Sequence, residues 1–185
     1  MLVPIIQWAI HRLDPVVEIL EPQFRKRRRS IGEDLEKYGS GSMLVFVHRD
    51  SETMTLDERL REFDGIARSD VVPVVPVQMS EAWILFNGTA IAKAAGSSSA
   101  EVSVPSVAEL EGIRDPKGRL DDLLVEAAGK PTGRRGKVFK RSIVERRVSV
   151  AGYISDYAPL ERVPAFARFQ ETLASCYPYG SAAGA

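Results

Sequence analysis

MLVFVHRDSE, residues 43–52, decides how this chain is read. Five apolar residues run without a break and stop at His48, Arg49 and Asp50, with Glu52 two positions further on. An unbroken apolar run after the Gly/Ser turn at 39–42 predicts a strand buried on both faces, the kind parallel sheets use. Ligands of open α/β sheets bind just beyond the carboxyl ends of such strands. Asp50 and Glu52 stand at that end, and carboxylates at i, i+2 can project side by side toward one hard cation. The same residues also suit a plain turn, with Asp50 opening it and Glu52 in solvent.

Outward from this strand the pattern alternates. Residues 2–13 have apolar positions at helical spacing and end at Asp14-Pro15, and β-branched residues make 16–20 a short strand. Residues 30–38 predict a short helix with Ser30 as N-cap and Glu33 completing a capping box. Residues 55–67 predict an amphipathic helix. Residues 71–77 predict a second buried strand, whose Pro73 and Pro76 argue for an edge or irregular position. It runs into a helix over 81–95 that Asn87-Gly88 can break, with Trp83 as core. A Ser-rich loop covers 96–105. Helices follow at 106–113, at 117–128 behind the start signal Asp115-Pro116, and at 137–154, after a loop at 129–136. The last helix, 158–177, is interrupted near Pro164. Helix and strand alternating in this way imply a parallel three-layer α/β sheet with a helical C-terminal part, about 106–178, in one domain spanning 1–178. The tail, 179–185, reads as disordered.

Composition sets limits on partners. The 185 residues are 44% hydrophobic and 27% charged, and the net charge is zero, so no global field draws the chain onto nucleic acid or membrane. The single cysteine, Cys176, excludes an internal disulfide and fits a reducing cytoplasm. The apolar start is too short to span a bilayer and lacks a preceding basic segment, so neither a membrane span nor a signal peptide is expected.

Several motif readings fail. His48-Arg49-Asp50 resembles a kinase catalytic tripeptide, but the Asn four residues on and the Gly-rich loop are absent, and Phe63-Asp64-Gly65 is in the wrong order. There is no Walker motif, and Gly39-Ser40-Gly41 precedes a strand instead of following one. Two histidines and one cysteine make a zinc site improbable. What remains is a carboxylate set, Asp50 and Glu52 after one strand and Glu81 after the next. If the strands are neighbours, the three acids meet at one sheet edge, where hard oxygen donors suit Mg²⁺ or Mn²⁺ held against a phosphate. For Glu81 the alternative is an acid favoured by a helix N-terminus.

The segments LVFVHRDSE, VVPVVPVQMSEAWILFN, AIAKAAG, LEGIRDPKGRL and VPAF, in this order, resemble an uncharacterised bacterial family with a Toprim-like, Rossmannoid fold. Its core is related to the Toprim domain of the overcoming-lysogenization-defect (OLD) nucleases. The resemblance implies a metal-dependent nuclease acting on DNA phosphodiesters, with a role in phage defence. By the same resemblance Asp50 and Glu52 take the D-x-D positions, Glu81 is the next acid and Lys117 the downstream lysine, so all four are candidate catalytic residues. It also implies an alternative, a non-catalytic regulatory module partnering an ATPase encoded nearby, since OLD-type proteins fuse an ATPase to their Toprim domain. The chain departs from the family in two places. The expected opening strand with its E-G-x-[ST]-[DE] motif has no counterpart, which suggests a truncated start, and Asn87-Gly88 stands where relatives often have Asp-Glu. A missing strand would leave Ile5, Ile6 and Ile10 exposed on the first helix.

Basic residues supply candidate phosphate contacts. Residues 25–29, including Arg27 and Arg28, form an unbroken basic run, and Arg134, Arg135, Lys137, Lys140, Arg141, Arg146 and Arg147 a second cluster. With His48 and Arg49 they could line a nucleic-acid path around the acids, or equally be solvated faces.

Overall fold

The computed structural model describes residues 1–24, 30–36, 43–66 and 68–177; within them, eight α-helices accompany one two-stranded parallel sheet. Strand β1 (Val45–His48) pairs with β2 (Val71–Val74) in the register Val45 to Val71 through His48 to Val74. Pro73 stands opposite Val47, at the edge of the sheet that its missing N–H permits. Alternation then assigns the two faces. Val45, Val47 and Val71 join Ile31, Leu35, Phe63 and Ile66 in a small cluster, while Phe46, Val72 and Val74 belong to the main core.

The helices start where the local chemistry says they should. Helix α1 spans Leu2–Leu13, and α2 (Ile31–Leu35) has the Ser30/Glu33 capping box. Helix α3 (Leu56–Leu60) carries a second box, Thr55/Glu58, and continues as a 3-10 turn, Arg61–Phe63. The segment after β2 is a 3-10 helix, Ser80–Ile84, followed by α4 (Gly88–Ala95), whose N-cap Asn87 accepts the Ala90 N–H at 2.9 Å. A further 3-10 helix, Val107–Gly112, leads to α5 (Pro116–Ala127), with Asp115 as N-cap and Pro116 in its first turn. Helices α6 (Gly133–Arg141), α7 (Ile143–Tyr153) and α8 (Pro164–Cys176) complete the described chain, with the 3-10 turn Ala158–Arg162 between the last two.

The main core runs from Ile5 on α1 to Leu173 on α8, around Trp83, which is fully buried. The Trp83 ring meets Phe166 edge-on at 5.2 Å between centroids and Phe169 at 6.1 Å. Edge-to-face contacts of this kind add about 0.5–1.5 kcal/mol per pair beyond the area buried.

Several expectations are corrected. The described residues hold two strands, not three: 16–20 forms no strand, and Val16 and Leu20 are 91% and 78% exposed. Val17 and Ile19 do pack against the main core, but β-branched residues make a strand only where a neighbouring strand exists, and none pairs with this stretch among the described residues. Strand β1 is half-buried instead of enclosed on both sides, whereas β2 is buried at Val71, Val72 and Val74. Ile5 is fully buried and Ile10 nearly so, which overturns their expected exposure; α1 packs against α7 and α8. The region 137–154 is two helices, joined at Ser142, and helix α6 begins inside the expected 129–136 loop. The basic run at 25–29 and the tail at 179–185 lie outside the described residues.

Candidate functional site

The parallel pairing of β1 and β2 carries Asp50 and Glu81 to the same sheet edge. Backbone bonding continues past the strands: the N–H groups of Arg49, Ser51 and Glu52 reach the carbonyls of Val74, Pro76 and Gln78 at 3.0, 3.0 and 3.1 Å. This zipper ends in two left-handed residues facing each other, Glu52 at φ 54° and Gln78 at φ 62°. A non-glycine residue held there costs of order 1 kcal/mol, so the surroundings must hold the turn. They do so through Ser51, which is fully buried. Its hydroxyl accepts the Gln78 N–H at 2.8 Å, and its carbonyl accepts from Arg59 at 3.2 Å.

Asp50 is fixed by the opposite loop. Its Oδ1 accepts the Ser80 N–H at 2.8 Å and lies 3.0 Å from His48 Nε2. The other oxygen has no hydrogen bond among the described residues. Glu81, the residue after Ser80, is 8% exposed and has no hydrogen bond or ion pair among the described residues. A buried carboxylate calls for a cation or a hydrogen-bond donor. The Met1 amino group feels the Glu81 charge: burial pushes its pKa down, and Glu81 pulls it partly back.

A second charged set braces the edge from below. Glu62 receives Arg49 through Nη2 at 3.1 Å and also pairs with Arg59, whose side chain is 6% exposed. Burial alone would raise the Glu62 pKa, but hydrogen bonds and charge from Arg49 and Arg59 outweigh it and hold the carboxyl below its usual range. Arg49 is thereby paired with Glu62, and His48 with Asp50. The i, i+3 spacing of Arg59 and Glu62 on one helix was a readable signal for this brace. Nothing in the residue pattern announced the paired left-handed turns.

The remaining candidates are scattered. Glu52 is exposed, and Lys117 is exposed in the first turn of α5, which packs against Ser80–Ile84. No hydrogen bond or ion pair joins Lys117 to the three acids. Among the described residues no three His, Cys, Asp or Glu side chains gather closely enough to hold one metal ion. The structure therefore brings Asp50 and Glu81 to one edge without closing a three-acid cluster. Asn87 and Gly88 have local reasons for their identity: Asn87 caps α4, and a Cβ at 88 would stand 2.8 Å from the Val102 carbonyl oxygen, so any side chain there would force this contact apart. Arg27 and Arg28 lie outside the described residues, while Arg134, Arg135, Lys140 and Arg141 are exposed on α6. No described helix is long and apolar enough to cross a membrane. No family model, no curated protein and no solved structure matches this chain.

Proposed function

We propose that the chain is a metal-dependent nuclease of Toprim type acting on DNA phosphodiesters, with β1 and β2 as adjacent strands of its parallel sheet. The observation that carries this reading is Glu81, a buried carboxylate with no hydrogen bond or ion pair among the described residues and only the charge of the Met1 amino group near it, one residue from the backbone N–H that holds Asp50. The donor set fits Mg²⁺, which keeps several waters and takes one or two carboxylates together with substrate phosphate oxygens; Mn²⁺ accepts the same ligands. Asp50 and Glu81 would hold the ion, with Glu52 adding a charge at the rim. When bound, the ion lowers the pKa of a coordinated water and neutralises phosphate charge.

The chain's own residues do the positioning. Ser80 fixes one oxygen of Asp50 and leaves the other uncommitted. Ser51 and Arg59 hold the loop that carries Asp50, and Glu62 holds Arg59. Lys117, exposed and unpaired on a helix packed against the Glu81 segment, supplies positive charge for the substrate backbone.

Titration calorimetry with Mg²⁺ and Mn²⁺, paired with a plasmid cleavage assay, tests this. Wild-type protein should give binding heat and cleavage, and Asp50→Asn and Glu81→Gln should each lower both at least about tenfold, the scale of disturbed metal sites. Equal heats from all three proteins would remove the site. The lack of a three-acid group among the described residues favours a second reading, a non-catalytic module partnering an ATPase. Folded protein that neither binds the ions nor cleaves DNA would support it.

A further inference from the structure

Helix α6 carries Arg134, Arg135, Lys137, Lys140 and Arg141 in nine residues, with no acid among them. A turn of 100° per residue puts Arg134, Lys137, Val138 and Arg141 on one side and Gly136 and Phe139 on the other. Burial agrees, since Gly136 and Phe139 are buried and the others exposed. Other arginines of the chain do pair with acids: Arg147 chelates Asp121 at 2.6 and 3.0 Å, and Arg68 binds Asp70. None of the five cations on α6 has an acidic partner among the described residues. Like charges at i, i+3 and i, i+4 are each unfavourable by about 0.2–0.5 kcal/mol, so this face works against its own helix.

Beside it lies an open groove of about 550 Å³, lined by Arg134, Arg135 and Arg146 together with Ala95, Val138 and Phe139. Arg146 is held as a flat plate, 4.4 Å over the Phe139 ring and bonded through Nη1 to the Ala94 carbonyl at 2.6 Å. Gly136 permits the close approach that shapes the groove, because a Cβ there would stand 2.5 Å from the Pro131 carbonyl oxygen.

We propose that this face docks single-stranded nucleic acid, with phosphates on the α6 cations and an unstacked base in the groove against Arg146 and the apolar lining. Unpaired cations explain attraction to any polyanion, but only a strand with accessible bases also uses an apolar groove with a planar cation beside it. A duplex keeps its bases stacked inside. A membrane surface is less suited, since interfacial helices bury a broad apolar face and the outward side of α6 offers only Val138. The inference is independent of the strand edge and needs no metal.

Fluorescence anisotropy with a labelled oligothymidylate, about 20 nucleotides against sites of about 4–16 for known single-strand folds, tests it in EDTA. Binding should weaken with salt at a logarithmic slope of about −0.7 per phosphate contact, near −3.5 if all five cations engage. The triple variant Arg134→Gln/Arg135→Gln/Arg141→Gln should bind at least about tenfold more weakly and lose about 2 from the slope. All three side chains are exposed, and circular dichroism confirms the variant is folded. Because no metal is present, failure here is distinct from failure of the nuclease reading. No binding by wild-type protein, equal binding by the folded triple variant, equal affinity for duplex of the same length, or binding only to phosphatidylserine vesicles would each overturn the proposal.

Discussion

The strand edge and α6 treat charge in opposite ways. At the edge nearly every ionic group is bound internally: Arg49 and Arg59 share Glu62, and Asp50 holds Ser80 and His48. Glu81 and the exposed Glu52 are the exceptions among the described residues. On α6 five cations stand in solvent with no acid of their own helix nearby. The first arrangement fixes geometry, since each partner over-determines the next; the second fixes little and leaves attraction to whatever anion arrives. Internal pairing therefore marks the region where positions matter, and its absence marks the region where long-range attraction matters.

The largest effect that could break this comparison is at Glu62. Removing it by Glu62→Ala leaves Arg59 buried at a 6% exposed side chain without its acid. Breaking a fully buried pair costs about 3–5 kcal/mol. Glu62 is 28% exposed, so the expected loss is smaller, about 2–3 kcal/mol in urea denaturation. The matching truncation on α6, Arg141→Ala, should stay within about 0.5 kcal/mol. Comparable losses at both sites would erase the distinction.

A pH series sharpens it. The Glu62 carboxyl is held below its ordinary value of 4.5 in the folded protein. A depressed folded pKa contributes stability that is present above the unfolded value and lost as pH falls through the folded one. Wild-type protein should thus lose this contribution below about pH 4.5, and Glu62→Gln should flatten that part of the acid limb. Arg141→Ala should leave the limb unchanged. An acid limb identical in wild type and Glu62→Gln would mean that the pair contributes no pH-dependent stability.

The sequence makes part of this visible. Asp50 and Glu81 share an edge because each follows a β-branched apolar run, and two such runs with a helical connection pair in parallel. Helix starts were readable where a short polar side chain preceded the apolar pattern, as at Ser30 and Asp115. The start of α6 was not. Gly133 and Gly136 bracket two arginines, which reads as a loop, and the helix depends on Gly136 fitting against Pro131. Residues 16–20 failed in the opposite sense: their β-branched pattern is genuine, but strand formation needs a neighbour that no pattern within five residues can report. The brace of Arg49, Glu62 and Arg59 spans two elements, so only its Arg59–Glu62 half was available to local spacing.

The smallest expected effect separates stability from binding most cleanly. This chain uses the signature S/T-x-x-E at Ser30/Glu33 and Thr55/Glu58, with both reciprocal hydrogen bonds formed, and at Ser106/Glu109, where the Glu109 carboxylate accepts the Ser106 N–H at 2.8 Å. At α6 the same position reads Thr132-Gly133-Arg134-Arg135, and the Thr132 side chain makes no capping bond. Arg135 therefore stands three residues after the N-cap, where a Glu would complete the box and where the helix dipole favours an anion. Arg135→Glu should raise stability by about 0.5–1 kcal/mol in urea denaturation, by completing the box and relieving repulsion with Arg134. It should at the same time weaken oligothymidylate binding and lower the salt slope by about 0.7. A residue kept for solvation alone would gain stability and change nothing else. Stability gained with binding untouched would therefore remove Arg135 from the docking face, whereas a stability loss would show that the first turn of α6 gains nothing from a box.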